Sequence, residues 1–219
     1  MSDYESFKNE VYNCARWLCD HGYFGGKLGS GGNVSLFLRS ENLVVITPSR
    51  IPYRSMSAND ICVVDLQLEL VDGHLPPSME SSMHLEIYLN RPDIGAVVHT
   101  HQTYASVLAL INQPIPALFD EISLDIGPEV AMIPYALSGS GELAANVASR
   151  LKNSSRCYII QNHGALSLGK DLVEAMRNAE HLEKVSQVFV HALCSGKKIS
   201  QLPESAVNQL LAMRPLTPV

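Results

Sequence analysis

The chain has 219 residues, 46% hydrophobic and 17% charged, with a formal net charge of −6 at pH 7. That composition suits a folded chain able to bury a substantial core, not a disordered one. The acidic balance and the lack of a dense Lys/Arg run argue against a nucleic-acid binder; no apolar run nears the ~18–20 residues a bilayer span needs.

The opening MSDYESFKNE is polar and mixed in charge, unlike a secretory leader or a basic transit sequence, so a cytoplasmic protein is expected. Phe7, Val11, Cys14, Ala15 and Leu18 recur at helical spacing and predict a helix over 4–21, stopped at Gly22. A glycine-rich stretch, 22–33, leads into three strands over 34–38, 43–47 and 61–66. Pro76-Pro77-Ser78 breaks the chain before a helix over 79–90 with Met79, Met83, Ile87 and Leu89 facing inward. A strand over 95–101 is followed by a helix over 103–112 and an irregular segment containing Pro114, Pro116, Gly127 and Pro128. A strand over 130–134 precedes a helix opened by Ser138-Gly-Ser-Gly-Glu142 and reaching about 151. A strand over 157–161 and a long helix over 172–195, stopped at Gly196, complete the pattern; the residues after Pro203 carry little of it. Because the first three strands come together, strict βαβ repetition fails. The chain reads as one mixed α/β domain, 1–219, with a largely antiparallel sheet covered by helices. Its five cysteines (Cys14, Cys19, Cys62, Cys157, Cys194) are scattered and read as small core residues, not a disulfide framework.

The sharpest local signal is His99-Thr-His101 at the end of an apolar run. In a strand, side chains at i and i+2 leave the same face, with Cβ atoms roughly 6–7 Å apart, so both imidazoles can reach one ion. A second apolar run stops at His163-Gly164. Three imidazoles with an open fourth position describe a catalytic zinc site better than a structural one.

Three loops can carry further chemistry. Gly29-Ser30-Gly31-Gly32-Asn33 precedes a strand, the wrong context for a dinucleotide fingerprint. Its successive glycines can converge backbone N–H groups on an anion, with Ser30 and Asn33 adding donors, or simply make a tight turn. Thr47-Pro48-Ser49-Arg50 offers hydroxyls and a cation at a strand end, as an anion loop or a surface turn. In Pro77-Ser78-Met79-Glu80, Ser78 is a natural N-cap that leaves amides for an anion. Glu80 is a favourable first-turn acid or, beside a metal, a general base. His84 is a possible ligand one turn after Glu80, or a residue facing solvent or a neighbour. His181 and His191 fall inside the long helix, and His21 and His74 in turns.

In their order, Gly-Ser-Gly-Gly-Asn33-Val-Ser, Ile-Thr-Pro-Ser49-Arg-Ile-Pro-Tyr, Pro-Ser78-Met-Glu80, Val-Val-His99-Thr-His101 and Gln-Asn-His163-Gly resemble the class II aldolase/adducin family over roughly residues 5–195. The resemblance implies an α/β/α fold, usually in C4 homotetramers with active sites between subunits. It implies that His99, His101 and His163 bind Zn²⁺ or another divalent ion such as Mn²⁺, and that Glu80 is the acid/base beside the metal. Ser30, Gly32, Asn33, Ser49 and Ser78, with loop amides, would hold a substrate phosphate; Arg50, outside the family pattern, would either clash there or supply a bidentate anion clamp. The implied reaction is aldol cleavage or condensation of a small sugar phosphate, in which a dication stabilises the enediolate and a carboxylate moves the hydroxyl proton. On the same site the family also supports decarboxylation of 3-oxo acids and dehydration or 4-epimerisation of pentulose phosphates. A non-catalytic, adducin-like assembly module is opposed by the retention of all three histidines and Glu80.

The chain departs from the fuculose-phosphate members of the family at three places. Met79 replaces a second serine, Arg50 replaces a glycine, and Asp120, followed by Glu121, stands where a proton-donating tyrosine is found. Carboxylic acid and phenol differ by about six units of pKa, so either another donor such as Tyr104 or Tyr135 serves or the reaction differs. Met79 and Arg50 together suggest a small, carboxylated substrate.

Overall fold

Short Val/Ile/Leu runs bounded by turn residues form the strands of this chain, and their alternation decides which helices cover which face. A computed structural model describes residues 4–26 and 31–214. The strands are β1 (Asn33–Leu38), β2 (Leu43–Ile46), β3 (Cys62–Val64), β4 (Leu70–Asp72), β5 (Ala96–Thr100), β6 (Ile115–Pro116), β7 (Glu129–Ile133), β8 (Cys157–Ile160) and β9 (Gly164–Gly169). The helices are α1 (Glu5–Asp20), α2 (Ser81–Asn90), α3 (Thr103–Ile111), α4 (Asp120–Ile126), α5 (Gly141–Arg150), α6 (Leu172–Cys194) and α7 (Glu204–Ala212). The strands make one mixed sheet, ordered β4-β3-β2-β1-β5-β9-β8-β7-β6. Every neighbouring pair is antiparallel except β7 and β8.

On one face, α2 and α5 set Met83, Ile87, Leu143 and Val147 against Phe37, Val97, Tyr158 and Leu166. On the other, α1 and the start of α6 set Val11, Leu18, Ala175 and Ala179 against Val34, Val45 and Val98. Farther along that face, α3, α4 and the rest of α6 bury Leu108, Ile122, Leu182 and Val185 with Cys157, Ile159 and Ala165. The α/β/α layering is therefore as expected, and each fully buried Leu or Val in it contributes about 1.5–3 kcal/mol. Ser140 and Asp171 cap α5 and α6, their side-chain oxygens accepting the N–H groups of Leu143 and Glu174. Among the described residues no helix is long and apolar enough to cross a membrane.

Several local expectations are corrected. The helix expected from 79 starts at Ser81, with Glu80 rather than Ser78 at its N-cap. Its buried face is Ser81, Met83, His84, Ile87 and Tyr88. Met79 and Leu89, expected inward, are 53% and 58% exposed. A polar histidine holds the inward position that the hydrophobicity pattern gave to a neighbour. The segment read as irregular contains β6 and α4, whose seven residues sit between a proline and Gly127 and resemble a loop. Strand β9 is fully buried but bounded by glycines and interrupted by Ser167, so it lacks an apolar run. Cys194 is exposed, not a core residue.

Candidate metal centre

The histidines meet because β5 lies between β1 and β9. His99 pairs in register with Asn33 on one side and Leu166 on the other. His163 sits in the β8–β9 turn, where Asn162 takes a left-handed φ of 55° and the His163 N–H donates to the Ile160 carbonyl at 3.1 Å. One ligand nitrogen from each of His99, His101 and His163 falls within 4.8 Å of the others, the grouping expected from the spacing. The Nε2 atoms of His99 and His101 are 3.1 Å apart.

The donor set fits a divalent ion. His99 is fully buried and its Nδ1–H donates to the Ala165 carbonyl at 2.9 Å, which leaves the Nε2 lone pair toward the centre. Burial pushes His99 below the ordinary imidazole value and His101 down to about 3, toward the neutral form that ligation requires. Two glycines permit the close packing. A Cβ on Gly164 would lie 2.4 Å from the Thr100 carbonyl oxygen and 2.6 Å from the His101 ring. Gly32, at φ +69°, would put one 2.3 Å from the Phe24 ring and 2.7 Å from the His99 carbonyl oxygen.

Glu80 is 6% exposed and faces two of the imidazoles. Its Oε2 is 3.3 Å from His99 Nε2 and its Oε1 3.2 Å from His163 Nε2. Asn33 Nδ2 donates to Oε2 at 2.7 Å, and the Ser138 hydroxyl donates to Oε1 at 2.8 Å. Burial opposes the charge, but the facing His99 and His163 and the Asn33 hydrogen bond outweigh it and hold the carboxyl well below its usual range.

A single pocket is lined by Glu80, His101 and His163 and by Gly32, Asn33, Ser49, Arg50, Met79, Ser78 and Ser138. Two loops are brought side by side there by backbone pairing: Ser49 N–H donates to the Pro76 carbonyl at 2.9 Å, and Ser78 N–H to the Thr47 carbonyl at 3.1 Å. Arg50 is exposed, holds a left-handed φ of 62°, and points its Nη2 at Met79 Sδ, 3.6 Å away. Ser30 lies outside the described residues. Asn33 spends part of its amide on Glu80, and the Ser78 hydroxyl accepts the Glu80 N–H at 3.2 Å.

The remaining candidates lie elsewhere. Asp120 is an exposed first-turn residue of α4, Tyr135 is 53% exposed, and the Tyr104 hydroxyl accepts from Gln187; none of them lines the pocket. His181 is 3.0 Å from the Asp125 carboxylate, His191 packs on Tyr104, His21 stacks on Trp17, and His74 is 3.3 Å from Asp60. Sequence reasoning missed Ser138, and it underrated His84, which is fully buried beside Asn33 and Ser35. The signal for Ser138 was present in Ser138-Gly-Ser-Gly: one serine there caps α5, which leaves the other unexplained.

The model of the family described as "Class II Aldolase and Adducin N-terminal domain" matches residues 9–190. The L-fuculose phosphate aldolase of Methanococcus maripaludis is 37% identical over 179 residues, 82% of this chain and 93% of its own. The 5-deoxy-D-ribulose 1-phosphate aldolase of Bacillus thuringiensis serovar kurstaki is 34% identical over 182 residues, 83% of this chain and 84% of its own. A solved L-fuculose 1-phosphate aldolase superposes with a TM-score of 0.88 at 32% identity, covering 97% of this chain and 96% of its own. With the matched family model, these relatives and the shared architecture in agreement, the chain belongs to the class II aldolase and adducin family.

Proposed function

We propose that this chain is a zinc-dependent carbon–carbon lyase that cleaves or condenses a small sugar phosphate. The observation that carries the reading is Glu80, a buried carboxyl group touching two of three clustered imidazoles in a pocket also lined by hydroxyls, glycines, Met79 and a guanidinium. His99, His101 and His163 would hold a Zn²⁺ (or Mn²⁺) ion, which when bound would supply Lewis-acid stabilisation of the charge that C–C cleavage leaves on the donor fragment. Glu80 takes the hydroxyl proton as the bond breaks and returns it in condensation. Ser30, Gly32, Asn33, Ser49 and Ser78 bind the phosphate, and Arg50 adds a cation at the same anion site. Fixing the substrate at its phosphate would orient the scissile bond toward Glu80 and the three histidines. The relatives named as sugar-phosphate aldolases support this substrate class.

A second reading, decarboxylation of a 3-oxo acid or dehydration or 4-epimerisation of a pentulose phosphate on the same site, is favoured by Arg50 beside Met79 in the pocket. We place the enzyme in the cytoplasm as a homotetramer of single-domain subunits. Leu110, Ile111 and Leu137, at 69%, 56% and 69% exposure, provide apolar surface for such an assembly.

The deciding experiment follows proton exchange on dihydroxyacetone phosphate in D₂O by NMR, with metal-loaded protein and a chelated control. Metal-dependent loss of one C3 proton is expected. No exchange with metal bound overturns dihydroxyacetone phosphate as the donor and turns the search to 3-oxo acids.

A further inference from the structure

We propose that His84 is a positioning residue for Glu80, acting through Asn33 at the end of a one-way chain of hydrogen bonds from Tyr88 to Ser35 to His84 to Asn33 to Glu80. The inference rests on the reading of Glu80 as the base. Glu80, His84 and Tyr88 are spaced i, i+4, i+8 at the start of and along α2, so they stack on one side of it. Asn33 and Ser35 are i, i+2 on β1 and share one face of the sheet. Period four on the helix thus meets period two on the strand, and the five side chains interleave.

Each donor in the chain follows from the one before it. The Asn33 amide donates its Nδ2–H to Glu80 Oε2 at 2.7 Å. Asn33 Oδ1 then faces His84 Nε2 at 2.5 Å, and Nε2 must carry the proton. His84 Nδ1 is therefore the acceptor, and the Ser35 hydroxyl, 2.6 Å away, donates to it. Ser35 in turn accepts from the Tyr88 hydroxyl at 2.6 Å. His84 and Ser35 are 0% exposed and Tyr88 1%, so water offers no alternative partner. Burial pushes His84 down to about 3 and keeps it in the neutral form that can both donate and accept. Without the His84 proton, Asn33 is free to turn its oxygen toward Glu80, and two oxygens facing each other would swing the carboxylate out of line. A buried polar network costs more than an apolar one of the same shape unless every member is satisfied, and every member of this one is.

The test compares two variants of like shape, His84→Gln, which keeps an N–H donor, and His84→Met, which does not. With dihydroxyacetone phosphate exchange as the assay, His84→Met should lower kcat about 10–100-fold with KM within about twofold, and His84→Gln should recover most of it. Equal kcat in the two variants overturns the inference. Glu80→Gln is measured alongside. If it keeps wild-type exchange, the reading of Glu80 as base fails and this inference with it. If it is inactive while His84→Met and His84→Gln match, this inference alone fails. A second measurement needs neither variant nor turnover: long-range ¹H–¹⁵N correlation of the metal-free protein should show His84 as the Nε2–H tautomer. The Nδ1–H tautomer would overturn the chain of donors outright.

Discussion

Asn33 and His99 face each other as register partners across β1 and β5. The pairing sets the residue that holds Glu80 beside the most deeply buried imidazole of the cluster. Positions 33, 80 and 99 thereby become one site, and its parts respond to substitution in different ways.

His101→Ala removes a nitrogen 3.1 Å from His99 Nε2 without touching the His99–Ala165 hydrogen bond. Metal retention and turnover should both fall by more than the roughly 100-fold that loss of an outer partner costs. Metal content by elemental analysis checks it, and stoichiometric zinc in the variant contradicts the ligand set.

Gly164→Ala places a Cβ 2.4 Å from backbone and 2.6 Å from the His101 ring, and neither neighbour is a flexible side-chain end. The expected cost is about 1–3 kcal/mol of stability, together with weakened metal binding. Urea unfolding and metal titration read the two effects separately.

His84 gives the metal-free protein an acid-sensitive component. Its pKa is pushed from 6.5 down to about 3, so the unfolded chain takes up the proton first. The stability from the neutral ring is complete above the unfolded value and is lost as pH falls toward the folded one. Below that unfolded value the loss is about 1.4 kcal/mol per pH unit. The stability gap between wild type and His84→Met should therefore narrow by about 2 kcal/mol on going from about pH 7 to about pH 5. A gap that does not change with pH would contradict it.

Tyr53 braces the glycine loop, its hydroxyl donating to the Gly32 carbonyl at 2.7 Å while its ring stacks on Phe24 at 4.4 Å. Tyr53→Phe leaves that carbonyl unsatisfied at a cost of about 1–2 kcal/mol. KM for the phosphorylated substrate should rise with kcat nearly unchanged, measured by steady-state kinetics beside thermal unfolding.

Arg50→Gly should split stability from function. The left-handed φ of 62° suits glycine, so Tm should rise, by up to about 1 kcal/mol in stability. Loss of the guanidinium should raise KM about tenfold for an anionic substrate. An unchanged KM for every active acid or phosphate would remove Arg50 from substrate binding.

Much of this was legible in local pattern. The i, i+2 spacing of His99 and His101 and the apolar run into His163-Gly164 mark the histidine cluster, because strand period and ligand reach are local geometry. Helices α1, α3, α5 and α6 were readable from apolar periodicity and stop residues. The short strands with a continuous apolar run, such as β2 and β8, were readable too, whereas β4 and α4 were not, because neither carries an apolar run or enough positions to show a period. Helix α2 was found with Met83 and Ile87 inward, as they are, but the pattern put Met79 and Leu89 there in place of His84 and Tyr88.

The sequence by itself determined the chemistry available: three imidazoles in strand-end contexts, a glutamate after Pro-Ser-Met, and hydroxyl and glycine loops able to meet an anion. Only the tertiary structure decided which of these groups meet. Glu80 is held by Asn33, 47 residues earlier, and by Ser138, 58 residues later. The sheet order β1-β5-β9 and the packing of α2 on it bring them together. The physical reason is that hydrogen bonds between buried groups depend on long-range register and burial, which no local spacing encodes.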